Sequence, residues 1–140
     1  MVLQYLLDTN IVSEVVKREL DVAVTSRLDE YQHICAIGSP TWQELLLGLQ
    51  RMPQGARRQA VELYYQDVVR VTFPILSYDQ CAAEWHAAEV ARLLSIGRPA
   101  TLLDGQLAAV AATNNLILVT RNVKDFSFYS GLIVEDWFAG

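Results

Sequence analysis

The sequence has few of the residues that most often hold zinc. It contains two cysteines and two histidines in 140 residues, and neither cysteine belongs to a C-x-x-C pair. Cys35 lies in the apolar run HICAIG and Cys81 lies in a segment of helical period, so we expect both to be buried thiols. The composition therefore argues against a zinc site.

Long apolar runs are also missing. No stretch reaches the roughly 20 uninterrupted apolar residues that a membrane span needs, and MVLQYLLDTN at the N-terminus has neither a basic leader nor a cleavage site. We therefore expect a soluble, cytoplasmic protein with no membrane partner. The chain suffices for one domain, residues 1–140, which buries roughly 70% of its unfolded surface.

The chain has no excess of basic charge. Its formal net charge is −5, which argues against a general nucleic-acid coat, because such proteins are basic. The charge is compatible with a nuclease that gathers acids around metal ions, since those ions reverse the local sign of the field.

Short apolar runs bounded by turn signals alternate with longer segments of helical period. The runs predict buried strands at LQYLL (3–7), ICAI (34–37), TFPIL (72–76), LILV (116–119) and LIV (132–134). The helical segments are 12–20, 21–31, the region of the Trp42, Leu45, Leu46 and Leu49 stripe, 53–70, 78–96 and 102–114. This alternation predicts an α/β domain with a mainly parallel sheet and right-handed crossovers.

Four carboxylates stand where a predicted strand leads into a helix. Asp8 follows LQYLL, Glu44 closes TWQE, Asp104 closes TLLD, and Asp125 closes NVKD. Because ligands of parallel α/β folds bind beyond the carboxyl ends of the strands, these side chains are candidates for one site.

The last three acids have a second interpretation. T-x-x-E, T-x-x-D and N-x-x-D match or approach a capping box, in which a carboxylate at the third helical position accepts a backbone N–H. Capping is the more common role for any one of them alone, and both roles place the acid at a helix N-terminus. On a helical wheel Glu44 lies opposite the apolar stripe, so it faces either solvent or a cleft.

The four acids have no His, Cys or Lys as a neighbouring ligand in these motifs, apart from Lys124 beside Asp125. Oxygen-only coordination suits Mg²⁺ or Mn²⁺ and not zinc. Two such ions about 4 Å apart can clamp the attacking and leaving oxygens of a phosphodiester displacement. The acids therefore predict metal-assisted hydrolysis without a covalent intermediate.

Five motifs in order resemble those of PIN-domain ribonucleases, in particular the VapC-like toxins of bacterial toxin–antitoxin pairs. They are LLDTNIVSE, PTWQELLLGLQRMPQGARR, PATLLDGQLAAVAA, LILVTRNVKDF and VEDWF, and they span Leu6 to Phe138. D-T-N alone is a weak signal, but the ordered set is specific. The resemblance implies a PIN-like three-layer sandwich with four to five strands, and an Mg²⁺- or Mn²⁺-dependent endoribonuclease.

The resemblance also implies which acids are catalytic. Asp8, Glu44 and Asp104 match the first three acids of the family, with Asp8 and Asp104 as metal ligands. The fourth acidic position falls within TRNVKDF, where relatives place an acid at one of two positions. Here Asn122 occupies the earlier position and Asp125 the later, so we favour Asp125 as the acid and Asn122 as a helper.

Further polar residues match positions that orient the acids or the attacking water. These are Asn10 and Thr120, with Ser13 as a further contributor or a plain helix-surface hydroxyl. One departure is Gly105-Gln106, where relatives usually carry an apolar pair. Because glycine within a helix costs about 1 kcal/mol relative to alanine, we expect a looser helix behind Asp104.

The implied partners are an RNA substrate, a second copy of the chain and a cognate antitoxin whose C-terminal segment lies across the acidic cleft. A cleft of this charge suits a partner that brings Arg or Lys. Candidate phosphate contacts are Arg57 and Arg58, with Arg121 and Lys124 as the better candidates because they flank the fourth acid. A solvated surface charge is the more common role for each basic residue.

Two alternatives compete with the ribonuclease. A phosphatase that uses Asp8 as nucleophile wants a second acid two residues on, and Asn10 occupies that position and cannot supply a proton. A catalytically silent PIN-like binding module is the other, and the presence of all four acids argues against it.

Overall fold

Five parallel strands form the central sheet of the computed structural model, which describes residues 2–138 and leaves Met1, Ala139 and Gly140 of the predicted domain outside. The strands are β1 (Tyr5–Leu7), β2 (Cys35–Gly38), β3 (Ile75–Leu76), β4 (Ile117–Val119) and β5 (Val134–Glu135). Their order across the sheet is β3-β2-β1-β4-β5, and every pairing is parallel. The predicted parallel α/β fold is confirmed.

Helices connect the strands. They are α1 (Thr9–Val12), α2 (Val22–Tyr31), α3 (Ser39–Arg51), α4 (Ala56–Tyr64), α5 (Arg70–Thr72), α6 (Gln80–Ser95), α7 (Leu102–Thr113) and α8 (Val123–Phe126). Short 3₁₀ turns follow α1 (Ser13–Val16) and α2 (Gln32–Ile34), and a π turn (Tyr65–Val69) joins α4 to α5.

The sheet is buried on both faces. Leu7 and Val119 belong to a core cluster that also contains buried side chains of α1 to α4. Leu6 and Leu118, one residue earlier on the same strands, belong to a second cluster with α6 and α7. Because successive strand residues point to opposite faces, each apolar run supplies both cores, and the result is the expected three-layer sandwich.

The register of the central strands sets the position of the site. Leu7 of β1 pairs with Ile37 of β2 and with Val119 of β4. The next residues along these strands therefore emerge together at the carboxyl edge of the sheet. The backbone N–H of Asp8 continues the ladder by donating to the carbonyl of Val119 over 2.9 Å.

The predicted helix at 12–20 is wrong beyond Val16. Lys17 has an extended backbone, with φ −77° and ψ 154°, and the carbonyl of Val16 accepts a hydrogen bond from the guanidinium of Arg57. A tertiary contact therefore uses a carbonyl that a continuing helix would have paired. A new helix starts only after Asp21, whose carboxylate caps α2.

The predicted strand at 72–76 is reduced to its last two residues. Thr72 still belongs to α5, and Phe73 is the residue at which that helix ends. Pro74 has no N–H for a ladder, but its carbonyl accepts from the N–H of Ile37. The apolar character of TFPIL is thus shared between a helix end and a two-residue strand.

The two cysteines differ. Cys35 is buried as expected, but Cys81 is exposed, so its predicted burial is wrong. The buried face of α6 consists of Ala82, His86, Glu89 and Leu93, and Cys81 lies one position before that stripe. Among residues 2–138, no helix is long and apolar enough to cross a membrane.

Candidate active site

Asp8 lies at the carboxyl end of the central strand and is 7% exposed. Its Oδ1 accepts from the backbone N–H of Thr9 over 2.7 Å, which makes Asp8 the N-cap of α1. Its Oδ2 accepts from the Thr120 hydroxyl over 2.7 Å and from the Asn10 amide over 3.4 Å. The carboxylate is therefore held in one orientation by three donors.

Burial raises the pKa of Asp8. The hydrogen bonds from Thr120 and Thr9 act in the opposite direction, and the negative charge of Glu44 raises the pKa further. The ion pairs found within residues 2–138, Lys17–Glu14 and Arg92–Glu89, do not involve Asp8 or Glu44. Asp8 is thus a desolvated carboxylate beside another carboxylate, with no protein cation paired to it in that part of the chain.

Glu44 lies in the second turn of α3 and faces Asp8. Its Oε1 accepts from the Thr9 hydroxyl over 2.8 Å. The predicted T-x-x-E cap is wrong, because α3 begins at Ser39 after Gly38, which places Thr41 inside the helix and fully buried. Glu44 therefore faces a cleft, one of the two environments that the helical wheel allowed.

Asp104 is the third residue of α7. Its backbone N–H donates to the hydroxyl of the N-cap residue Thr101 over 3.2 Å, so the predicted T-x-x-D cap is present on the threonine side. Burial raises the pKa of the Asp104 carboxyl, the hydrogen bond with Thr101 lowers it, and the charges of Asp8 and Asp125 raise it. The backbone of Asp104 thus takes part in the cap that Thr101 provides, while its carboxylate belongs to the acidic cluster.

Asp125 is the most peripheral of the four acids. It is exposed on α8, and its backbone N–H donates to the carbonyl of Asn122 over 3.0 Å. The side chain of Asn122 makes no capping bond, so the predicted N-x-x-D capping box is absent from these residues. The charge of Asp125 contributes to the raised pKa of Asp104.

Thr120 connects the acid of β1 to the loop that follows β4. It is fully buried, donates to Asp8 and accepts from the backbone N–H of Asn122 over 3.0 Å. Asn10 makes a parallel link, since its Oδ1 accepts from the backbone N–H of Arg121 over 3.2 Å. Both residues therefore contact the cluster as the resemblance implied, and Asn122 reaches it through its backbone.

The sequence reasoning missed Thr9. Its hydroxyl binds Glu44 and its backbone binds Asp8, so it joins two acids that are far apart in the chain. The signal was present in D-T-N, where a hydroxyl stands directly beside the first acid. Ser13 is half-buried in the 3₁₀ turn after α1.

The basic candidates separate into two groups. Arg121 and Lys124 are exposed and line an open pocket of about 380 Å³ together with Asn122, Asp125 and Asp136. The guanidinium of Arg121 lies 4.5 Å from the ring centroid of Phe138.

The second group is engaged in contacts with the backbone. Arg57 donates to the carbonyl of Val16, and Arg58 donates to the carbonyl of Met52 over 3.0 Å. Both contacts hold the start of α4 against neighbouring segments. Of the four basic candidates, Arg121 and Lys124 are the two that share a pocket with the fourth acid, Asp125.

The chemistry of the cluster fits a hard divalent cation. Asp8, Glu44, Asp104 and Asp125 offer carboxylate oxygens, and Mg²⁺ and Mn²⁺ prefer such ligands. Within residues 2–138, no three acidic, histidine or cysteine side chains already converge as a finished ligand set. Burial is the main reason that the pKa of Asp104 is raised, and the charges of Asp8 and Asp125 raise it further. A bound cation relieves repulsion of that kind.

The family model for the PIN domain matches residues 5–130. That range covers most of the chain and includes all four acids and the threonines that orient them. The chain therefore belongs to the PIN-domain family, and the family resemblance seen in the motifs is confirmed.

Individual relatives match over nearly their whole length. The tRNA(fMet)-specific endonuclease VapC of Shigella flexneri is 34% identical, with 96% of this chain and 98% of the relative covered. Ribonuclease VapC2 of Haemophilus influenzae is 32% identical with the same coverage. The DNA-bound VapBC structure from Salmonella typhimurium has a TM-score of 0.85 at 25% identity, and the match covers 97% of this chain and 99% of that one.

Proposed function

We propose that this chain is a metal-dependent endoribonuclease that acts as the toxin of a toxin–antitoxin pair. The observation that carries the proposal is the buried carboxylate of Asp8 at the end of the central strand. Glu44 and Asp104 stand around it. The similarity to proteins named VapC ribonuclease or endonuclease supports the same activity.

The side chains of the cluster would have two kinds of role, binding the cation and orienting the acids that bind it. Asp8 and Asp104 would hold a divalent cation, and Glu44 and Asp125 would complete the set directly or through water. Thr120 orients Asp8 from the side of β4, while Thr9 orients Glu44 from the start of α1. Because the orienting hydroxyls lie on packed elements, the acids are placed before substrate arrives.

Mg²⁺ or Mn²⁺, when bound, would lower the pKa of an attacking water and stabilise the charge on the leaving oxygen. The acids supply negative charge that keeps the cation at the scissile phosphate. The expected products carry 5′-phosphate and 3′-hydroxyl ends. The RNA 2′-hydroxyl takes no part in such chemistry, so a preference for RNA over DNA would come from groove shape and binding.

Arg121 and Lys124 are the proposed phosphate contacts. Both are exposed in the pocket that also contains Asp125, so a strand of RNA that reaches the acids passes them. A cation at this position offsets the repulsion between the acidic cluster and the phosphate backbone.

The proposed protein partners are a cognate antitoxin and a second copy of the chain. The similar structure from Salmonella typhimurium is a VapBC complex bound to DNA, which supports an antitoxin for this chain as well. A net charge of −5 favours an antitoxin segment that brings Arg or Lys to the acidic cleft.

The phosphatase alternative finds no support in the site. The amide of Asn10 occupies the position where that chemistry needs a proton donor, and it is bonded to Asp8 and to the backbone of Arg121. A silent binding module would keep the fold but would give no cleavage, so activity separates it from the proposal.

Purified protein mixed with structured RNA and Mn²⁺ or Mg²⁺ tests the activity. We expect cleavage that EDTA abolishes and that Asp8→Asn and Asp104→Asn each reduce by at least about 10²-fold, because each variant removes a ligand charge. Asp29→Asn, an exposed acid on α2, is the matched control and should cleave normally. Cleavage that persists in EDTA contradicts the proposal.

Expression in bacteria tests the toxin role. Wild-type protein should stop growth, and co-expression of the antitoxin encoded beside it should restore growth. Sequencing of the 5′-phosphate ends that form in cells would then identify the RNA target. Harmless expression with intact RNA would argue against a toxin.

A further inference from the structure

Gly105 follows the third acid and is buried against the imidazole of His86. A Cβ atom at position 105 would lie 2.1 Å from Nε2 of His86 and 2.8 Å from its Cδ2. No such contact can exist, so the ring of His86 occupies the space that every other residue type at position 105 would need. The glycine therefore has a consequence besides its low helix propensity, because the space of the missing side chain is filled by a neighbour's ring.

His86 is itself held from the other side. It is 5% exposed on α6, and its Nδ1 shares a hydrogen bond of 2.8 Å with the Tyr78 hydroxyl. The backbone N–H of Tyr78 donates to the hydroxyl of Ser39 over 3.1 Å. Because Ser39 is the first residue of α3, which carries Glu44, this chain of contacts connects the helix of the second acid to that of the third.

The start of α7 borders a small cavity on this side. The cavity has a volume of about 60 Å³ and is lined by His86, Thr101 and Tyr129, among others. The hydroxyl of Tyr129 is buried and has no hydrogen-bond partner within residues 2–138. The imidazole of His86 thus contacts Gly105 and also lines this cavity.

We propose that His86 is a positioning residue for the third acid, acting through Gly105. The ring sets how closely the first turn of α7 approaches α6 and so where the Asp104 carboxylate stands relative to Asp8. This inference rests on the proposed function, since it assigns His86 a role in the same acidic cluster. His86 touches neither substrate nor cation in this role.

The experiment adds a methyl group at position 105 and then, in a second variant, also removes the ring at position 86. Gly105→Ala should lower kcat/KM for RNA cleavage by about 10- to 100-fold, because a small displacement of a catalytic group has such an effect. It should also weaken Mn²⁺ binding measured by calorimetry. The double variant with His86→Ala removes the clash and should recover most of both losses, a non-additivity expected only of residues in contact.

Two control variants separate positioning from general stability. Gly48→Ala makes the same change in α3, where a Cβ meets no atom within 4 Å, and should leave Mn²⁺ affinity unchanged. Val61→Ala opens a hole in the opposite core, where Val61 is 4% exposed. It should lower the melting temperature without changing Mn²⁺ affinity.

The outcomes are distinct. Unchanged kcat/KM and Mn²⁺ affinity in Gly105→Ala, or a double variant no better than Gly105→Ala, overturns the inference. If Gly105→Ala does not fold, His86→Ala replaces it and should weaken Mn²⁺ binding; wild-type affinity there overturns the inference. Wild-type protein that binds Mn²⁺ but cleaves no RNA refutes the proposed function alone, whereas absence of both refutes the two together.

Discussion

At the scale of single residues, the site is an arrangement of hydroxyl groups around carboxylates. The hydroxyl of Thr120 donates to Asp8, and the hydroxyl of Thr9 donates to Glu44. In both pairs the two residues are far apart in the chain. A short hydroxyl donor holds a carboxylate in place without neutralising it, so the charge remains available for a cation. The same acids placed without these donors would be free to turn toward solvent.

Thr120→Val tests this arrangement through pH. The pKa of Asp8 is raised by burial, and the hydrogen bond from Thr120 counteracts part of that rise. Removing the donor raises the pKa further. Because the proposed mechanism uses the ionised carboxylate, activity should be lost as the pH falls through this pKa, and the acidic limb of kcat/KM should move to higher pH.

The magnitude should be substantial, since a hydrogen bond to a charged group contributes about 1.5–3 kcal/mol. Thr113→Val is the control, because its hydroxyl donates to the carbonyl of Ala109 at the far end of α7. An unchanged acidic limb in Thr120→Val would show that Thr120 does not orient Asp8.

At the scale of elements, helix starts serve two different purposes in this fold. Asp21 caps α2 by accepting from the N–H groups of Ala23 and Val24, whereas Asp8 caps α1 and also belongs to the acidic cluster. The sequence pattern of a capping acid does not distinguish the two, because each acid directly precedes its helix. The surroundings of the two carboxylates differ.

Asp21→Ala should therefore change stability and leave activity alone. Loss of an N-cap costs about 1 kcal/mol, so the free energy of unfolding measured in urea should fall by that amount while kcat/KM stays at the wild-type value. Asp29→Ala, on the exposed face of α2, should change stability by less than about 0.5 kcal/mol. Loss of activity in folded Asp21→Ala would contradict this division of roles.

Two charged residues of α6, Glu89 and Arg92, anchor the segment after α8. Glu89 on α6 accepts from the backbone N–H of Ser130 over 2.6 Å and from the guanidinium of Arg92, which also donates to the carbonyl of Phe128. The hydrogen bond from Arg92 is the main reason that the pKa of Glu89 is lowered, and burial opposes it.

This contact should make stability depend on pH in a defined direction. A carboxyl whose pKa is lower in the folded state contributes stability above its ordinary pKa, and the contribution is lost as the pH falls through the lowered value. Glu89→Gln should therefore reduce the melting temperature at neutral pH and have a diminishing effect in acid. An equal effect at both pH values would exclude an ionic role for Glu89.

At the scale of the whole molecule, the acidic cluster opposes the stability of the metal-free fold. Burial raises the pKa of Asp8 and of Asp104, so each is more readily ionised in the unfolded chain. The free energy of unfolding should fall as the pH rises from their ordinary pKa through the raised one, and stay lower above it. A bound cation would offset this loss.

Mn²⁺ should accordingly raise the melting temperature at neutral pH. Binding at 100 times the dissociation constant adds about 2.7 kcal/mol to the free energy of unfolding. Scanning calorimetry with and without Mn²⁺ should show this increase for the wild type and a much smaller one for Asp8→Asn. An equal increase in both proteins would place the cation elsewhere.

Local pattern was sufficient for much of the molecule. Each predicted apolar run overlaps a strand, because a buried parallel strand must be apolar on both faces, although the run at 132–134 meets β5 only at Val134. The order of motifs predicted the PIN fold. The helix ends were less predictable. The first helical segment ends early where the carbonyl of Val16 meets Arg57, a contact that no local window contains. Helix α3 begins at Ser39, before the Thr41 that the capping pattern indicated.

The sequence by itself determined that four acids follow or flank the strands of a parallel sheet, and these are the residues that we propose carry the chemistry. Only the tertiary structure decided how they are held. Asp8 meets Thr120 across 112 positions of sequence, and Gly105 meets the ring of His86 from another helix. Such contacts depend on strand register and helix packing, which bring together residues that are distant in the chain.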